Sequence, residues 1–340
     1  MTLKLSKLIV WFYIFHSCQN IILQYIIPIV GSMLTLHKLM QRNIMQNKAK
    51  LVTVMTLNYN NPFIWDSINS VLEQTYNLIQ YVIVDDCSDH FDPVEISSYI
   101  DQHQKGNIVD KIIIKNLKNM GIPKSANIAL DNAKGYYLIN LAGDDVFYDN
   151  QTITEWVKHF EESDANIITA YRIAYDENLQ KKLDILPSPK QVSLIKKSSS
   201  EELFELLTKE NFIFGCTTAR TKQCVETWGK YDERYQYIED YPWNLKVLRQ
   251  GEKIFFWDRI VIKYRTGGIS SPLQFNTRYA KDTKLIYENE IKPYTKHPII
   301  SFYYSKHWLI KRNIDKFWLP LRHKIKLNIF KMIKKAGIKK

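Results

Sequence analysis

The stretch Tyr81-Val82-Ile83-Val84-Asp85-Asp86-Cys87-Ser88 decides the fold. An unbroken apolar run stops at two acids and a small polar residue. A strand buried on both faces does this when it reaches the carboxyl edge of a parallel sheet. The same pattern recurs on either side. Upstream, Leu51 to Leu57 reads as a buried strand ending at Asn58-Tyr59-Asn60-Asn61. Asn61 can cap a helix and Pro62 suits its first turn, and Ile64, Ile68, Val71 and Leu72 then share one helical face. Downstream, the pattern predicts a helix over Pro93 to Gln104, a strand over Lys111 to Lys115 and a helix over Ser125 to Ala133. A strand from Tyr136 to Leu141 runs into Gly143-Asp144-Asp145, before a helix faced by Ile153, Trp156, Val157 and Phe160 and a strand over Asn166 to Tyr171. Strands alternating with helices predict an α/β fold with a mostly parallel sheet.

The pattern loosens over Pro187 to Ser200, where Pro, Ser and Lys dominate and a loop is expected. A helix over Glu201 to Thr208 and an apolar segment lead to Tyr237-Ile238-Glu239-Asp240-Tyr241. Trp243 to Arg249 is predicted helical with Gly251 ending it, and Lys253 to Tyr264 reads as one or two strands.

With 340 residues, 45% of them apolar, the chain can bury a large core. Its cysteines, Cys18, Cys87, Cys216 and Cys224, form no C-x-x-C pair, so free thiols in a reducing compartment are expected rather than a zinc site. No G-x-x-x-x-G-K loop is present, which argues against an ATP-dependent enzyme. The net charge of +12 is concentrated at one end: from Lys306 to Lys340 there are twelve Lys or Arg against one acid, Asp315. Aromatic and aliphatic residues interleave with these charges, and Pro320 divides the stretch into two candidate helices. This favours an interfacial helix on an anionic membrane over a nucleic-acid arm. At the other end, the apolar runs Leu8 to Phe15 and Ile21 to Leu34 flank the polar stretch His16 to Asn20. A weak signal anchor, an interfacial helix and an untranslated leader before Met33, Met40 or Met45 all fit it.

The acids carry the chemistry. Asp85 and Asp86 follow one strand and Asp144 and Asp145 another, where open α/β sheets bind ligands. Carboxylate pairs there suit a hard divalent cation shared with substrate phosphate.

Taken in order, several segments resemble family 2 glycosyltransferases: Thr56 to Asn60, Ser70 to Tyr76, Val82 to Ser88, Asn119-x-Gly121, Asn127, Gly135 to Leu138, Gly143-Asp144-Asp145 and Glu239-Asp240-Tyr241. The resemblance covers residues 51–268 and implies a GT-A fold, Rossmann-like and mostly parallel, here with basic C-terminal helices. It implies four regions. These are an apolar segment (1–50), a nucleotide-sugar-binding half (51–170), an acceptor-binding half with the catalytic base (171–270) and a basic amphipathic region (271–340). Asn58, Tyr59 and Asn60 would line the base pocket, Asp85 and Asp86 would hold the base, and Lys124 would lie near the nucleotide. Asp144 and Asp145 look like the D-x-D element that binds Mg²⁺ or Mn²⁺. The frequent Leu-Asp-x-Asp-Asp reads Leu141-Ala142-Gly143-Asp144-Asp145 here, which leaves open which acid meets the metal. Asp240, with Glu239 as alternate, resembles the acceptor-side base, and Arg265 before Gly267-Gly268 would close over the diphosphate or end the sheet in a turn.

The activity this implies is metal-dependent, inverting transfer of a hexosyl-type sugar. The donor would be a UDP-sugar and the acceptor a lipid-linked or growing surface glycan. The expected location is the cytoplasmic face of the inner membrane, with the basic tail on anionic lipid and no nucleic-acid partner. A nucleotidyltransferase on a similar core, and a silent nucleotide-sugar binder suggested by Ala142, are the alternatives.

Overall fold

The computed structural model describes residues 49–268 and 277–301. The apolar segment up to residue 48, the segment 269–276 and the basic tail after Ser301 lie outside the described residues.

One sheet organises the chain. Its strands are β1 (Val52–Asn58), β2 (Ile79–Asp85), β3 (Ile108–Lys115), β4 (Tyr137–Ala142), β5 (Val146–Phe147), β6 (Ile167–Tyr175), β7 (Lys182–Leu186), β8 (Thr218–Thr221) and β9 (Ile254–Arg265). The order is β3-β2-β1-β4-β8-β6-β9-β5, with β7 paired to β6. The β3-β2-β1-β4 block is parallel, β6 and β9 are parallel, and β8 joins these two blocks by antiparallel pairing to β4 and β6.

Alternation along the strands sends side chains to opposite faces. Val54, Tyr81, Ile83 and Ile139 pack with α1 (Ile64–Leu72), α2 (Pro93–His103) and α4 (Thr152–Ser163), while Met55, Val82, Val84 and Leu138 face α3 (Ile122–Asn132) and the C-terminal helices. Those helices are α5 (Pro189–Lys197), α6 (Ser200–Leu207), α7 (Lys222–Trp228), α8 (Asp240–Arg249) and α9 (Thr277–Ile286), the last running into a π-helical turn at Tyr287–Ile291. With both faces covered, ligand access is left at the strand ends. There Asn58 pairs in register with Asp85, and Leu57 with Ala142.

One expectation changes. The loop expected over Pro187 to Ser200 contains α5: Ser188 and Gln191 form a capping box, Pro189 occupies the first turn, and Ser199 and Glu202 form a second box that starts α6. The border between the two expected halves falls inside β6, so one continuous sheet carries both. Of the basic amphipathic region expected over 271–340, residues 277–301 are described, and they pack on the body. Ile286, Tyr287 and Ile291 are buried with Trp243 and Leu248, and buried Glu290 pairs with Arg249 at 2.7 Å. No helix of the described residues is long and apolar enough to cross a membrane.

Candidate active site

A cavity of about 1220 Å³ opens at the carboxyl ends of β1 and β4. Asn58, Tyr59, Asn60, Asp86, Asp144, Asp145, Glu239, Asp240 and Arg265 all line it, although the sequence spreads them over two hundred positions. Asp85 and Lys124 do not.

The first two strand ends are joined by a polar network. Asn58 Nδ2 donates to Asp85 Oδ1 at 2.7 Å, and Ser88 donates to the same carboxylate through its amide (2.7 Å) and its hydroxyl (2.5 Å). Asp85 is fully buried, off the cavity wall, and braces the loops that follow β1 and β2. Asp86 differs. It lines the cavity and accepts from the amides of Met120 and Gly121, both at 2.8 Å. Gly121 has φ +89°, and a Cβ there would stand 2.7 Å from the Gln236 carbonyl oxygen, so this turn needs glycine. Tyr59 is 49% exposed at the rim, free to offer its ring. Lys124 lies in the first turn of α3, outside the cavity wall.

Asp144 and Asp145 follow β4. Asp145 is buried; its Oδ1 accepts from the Arg265 amide at 2.9 Å, and its Oδ2 has no partner. Burial and the neighbouring Asp144 hold the Asp145 carboxyl well above the usual range, and burial also raises Asp144. Two carboxylates that resist ionising together, one with an orphaned oxygen, fit a divalent cation as counter-charge. Among the described residues no set of three or more His, Cys, Asp or Glu could hold a metal, so remaining ligands would be substrate phosphate or water. Arg265 is placed otherwise than a closing clamp requires. Its guanidinium donates to Asp66 Oδ2 at 2.7 Å, to the Asp144 carbonyl at 2.8 Å and to the Glu177 carbonyl, and it stacks on Phe63. It is a strut that fixes the acid loop.

The second acid pair opens α8. Asp240 Oδ2 accepts from the Gly215 amide and its Oδ1 from the Tyr241 amide, both at 2.7 Å. Burial raises the Asp240 carboxyl while these amides pull it back down. Burial and the adjacent Asp240 push Glu239 to about 8. The two amide donors favour the ionised form of Asp240, while burial beside that acid disfavours ionisation of Glu239.

Two residues escaped the sequence reading. Asp282, on α9, is 2% exposed, and its Oδ2 accepts from the amides of Gln236 (2.8 Å), Tyr237 (2.6 Å) and Ile238 (3.2 Å). It thereby fixes the loop that leads into Glu239. Arg172, on β6, lines the cavity between the rings of Phe214 and Tyr264. A lone acid in a lysine-rich helix and a lone arginine in a strand carry no spacing signal.

A family model described as glycosyl transferase family 2 matches residues 52–229. An uncharacterized glycosyltransferase of Rickettsia prowazekii is 27% identical over 219 residues, 64% of each chain, so this chain spans under two thirds of that relative's length. The putative teichuronic acid biosynthesis glycosyltransferase TuaG of Bacillus subtilis is 24% identical over 72% of this chain and 89% of its own. Among solved structures, the mannosyltransferase PcManGT from Pyrobaculum calidifontis, in complex with GDP-Man and Mn²⁺, superposes with a TM-score of 0.56 at 15% identity, over 76% of this chain and 71% of that one. S. aureus TarS in complex with UDP-GlcNAc gives 0.53 at 16%, over 78% and 73%. The fold is therefore the GT-A fold that the resemblance implies.

Proposed function

The chain belongs to glycosyl transferase family 2, and on that premise we propose that it transfers a sugar with inversion from a nucleotide-sugar to a hydroxyl of a lipid-linked or growing surface glycan. One observation carries this reading: two acid pairs of different character, Asp144 with Asp145 and Glu239 with Asp240, face a single cavity. The first pair suits a diphosphate and its counter-ion. The second offers one ionised carboxylate to an incoming hydroxyl.

In the proposed reaction the acceptor oxygen attacks the anomeric carbon as the bond to the β-phosphate oxygen breaks. Asp240 takes the hydroxyl proton and the nucleoside diphosphate departs. The amides of Gly215 and Tyr241 keep Asp240 ionised and fix its direction, while protonated Glu239 adds no second negative charge beside it. Asp144 and Asp145 would hold Mg²⁺ or Mn²⁺, whose charge would neutralise the leaving diphosphate. Asp86 anchors the turn at Gly121, and Tyr59 and Asn60 offer a ring and an amide to the base. A UDP-sugar is the favoured donor, as TarS is solved with UDP-GlcNAc; GDP-mannose in PcManGT makes the base a question for the assay.

The test is release of nucleoside diphosphate from a panel of UDP- and GDP-sugars, with and without Mn²⁺. Asp144→Asn or Asp145→Asn is expected to abolish metal-dependent binding. No release from any donor, or unchanged metal dependence in both variants, would overturn the reading.

Placement at the cytoplasmic face of the membrane rests on the twelve Lys or Arg from Lys306 to Lys340. Each basic residue near an anionic surface contributes about 1 kcal/mol. The protein is expected to sediment with anionic liposomes and, without residues after Tyr304, to lose salt-sensitive binding. Equal sedimentation of both forms would exclude the tail as the anchor.

A further inference from the structure

Arg172 lines the cavity with only a weak acceptor for its guanidinium. Its guanidinium carbon lies 3.8 Å from the centre of the Phe214 ring and 3.9 Å from that of Tyr264. Two ring faces orient the guanidinium plane but accept nothing from its in-plane N–H groups. One terminal nitrogen meets Cys216 Sγ at 3.7 Å, a weak acceptor, and Nε is buried without a partner. A desolvated donor left unmade is costly, so a site that keeps one presents it to something that arrives.

The other arginines differ. Arg265, also in the cavity wall, has its fork committed to Asp66 and two carbonyls. Arg220 and Arg259 likewise keep an unpartnered Nε, but neither lines the cavity, and they bond Tyr231 and Asp149. Among the described residues, Arg172 alone combines a place in the wall with an orphaned guanidinium N–H.

Its position narrows the ligand. Its ring partner Tyr264 directly precedes Arg265, whose amide holds Asp145. Its partner Cys216 directly follows Gly215, whose amide holds Asp240. Arg172 thus lies between the acids assigned to the diphosphate and the acid assigned to the acceptor. In a direct displacement, the group between the leaving diphosphate and the attacking hydroxyl is the transferred sugar. We propose that Arg172 reads that sugar, donating its free N–H groups to an oxygen on a ring substituent: a hydroxyl, an amide carbonyl or a carboxylate. The inference rests on the transferase reading and adds to it the residue that selects the donor's sugar.

The experiment is calorimetric titration of wild type, Arg172→Gln and Arg172→Lys in the presence of Mn²⁺. The ligands are UDP, UDP-glucose, UDP-N-acetylglucosamine and UDP-glucuronate, with GDP and GDP-mannose alongside. In Arg172→Gln the best-bound nucleotide-sugar is expected to weaken at least ~10-fold, while its parent nucleotide changes less than about twofold. The donor that weakens most identifies the oxygen: glucuronate a carboxylate, N-acetylglucosamine an amide carbonyl, the plain hexoses a hydroxyl. Arg172→Lys keeps the charge and loses the fork. It gives the same comparison should thermal melting show the Gln variant unfolded. Equal weakening of nucleotide and nucleotide-sugar would assign Arg172 to the diphosphate and overturn the proposal, as would no change in either. Failure of the wild type to bind any of these ligands would instead overturn the transferase reading, and this inference with it.

Discussion

The amide of Gly215 and Oδ2 of Asp240 stand 2.7 Å apart, and the glycine leaves the room for that contact. A Cβ on Gly215 would lie 3.1 Å from Asp240 Cβ and 3.3 Å from Glu239 Oε1, pressing on both acids at once. Asp240→Asn is expected to lower turnover at least ~10²-fold with donor affinity within a few-fold, because the group acts on the acceptor. Gly215→Ala should lower turnover about tenfold by displacing the same carboxylate. Steady-state kinetics with separate donor titration checks both; an Asp240→Asn enzyme of near-normal turnover would remove Asp240 from the base role.

Glu239 makes stability depend on pH in a definite direction. The unfolded chain releases this proton near 4.5 and the folded protein near 8, so between those values the folded state binds more protons. Its stabilising effect is complete below about pH 4.5 and fades as pH rises through about 8. Melting temperature measured in chelator should fall across this window, and Glu239→Gln should flatten the slope. An unchanged slope in that variant would show that Glu239 ionises normally.

Asp282 is a positioning residue for the same acids. Asp282→Ala leaves the buried amides of Gln236, Tyr237 and Ile238 unpaired, and a loss of at least ~2 kcal/mol is expected. Asp282→Asn, which keeps an oxygen acceptor, should fold well and recover part of the turnover. The discriminating readout is a fall in kcat with donor KM nearly unchanged. Parallel changes in both would mean a general loosening of the fold.

Cys87 lies between Asp86 and Ser88 at φ +70°, a region that favours glycine. Cys87→Gly should relieve strain worth roughly 0.5–1 kcal/mol after glycine's own entropy cost, a rise of about 2 °C in melting temperature. A lower melting temperature would mean that the thiol makes compensating contacts.

What the sequence revealed followed from periodicity. The apolar runs of β1 and β2 and the acids at the ends of β2 and β4 sit where a parallel sheet needs them, and their order carried the resemblance. The acid pair of α8 was legible for the same reason. Composition misled where capping decides: Ser188 with Gln191 and Ser199 with Glu202 start helices inside a stretch rich in loop residues. β5 and β8, at two and four residues, are too short to show a period. For Arg265 the paired glycines left a closing clamp and a turn both open, and its carboxylate partner, Asp66, lies almost two hundred positions away. No local pattern encodes such a pairing, and the same holds for Asp282 and for Arg172.

The place of β6 in the sheet has a consequence for how the chain is made. It pairs with β9 along its whole length, from Ile167 with Ile254 to Tyr175 with Arg265, and β8 takes part of its other edge. β7, which follows at once, pairs with the end of β6 from Arg172 to Tyr175, but β8 and β9 leave the ribosome later. Until β9 arrives, the edge of Ile167 to Tyr175 that it covers is open, the kind of segment that recruits the wrong neighbour. A nascent chain ending at residue 229, where the family match stops, would hold the nucleotide-facing strands but neither β9 nor the Arg265 strut. Pairing across so many residues is expected to form late, so protection from premature association matters most while the C-terminal third is being synthesised.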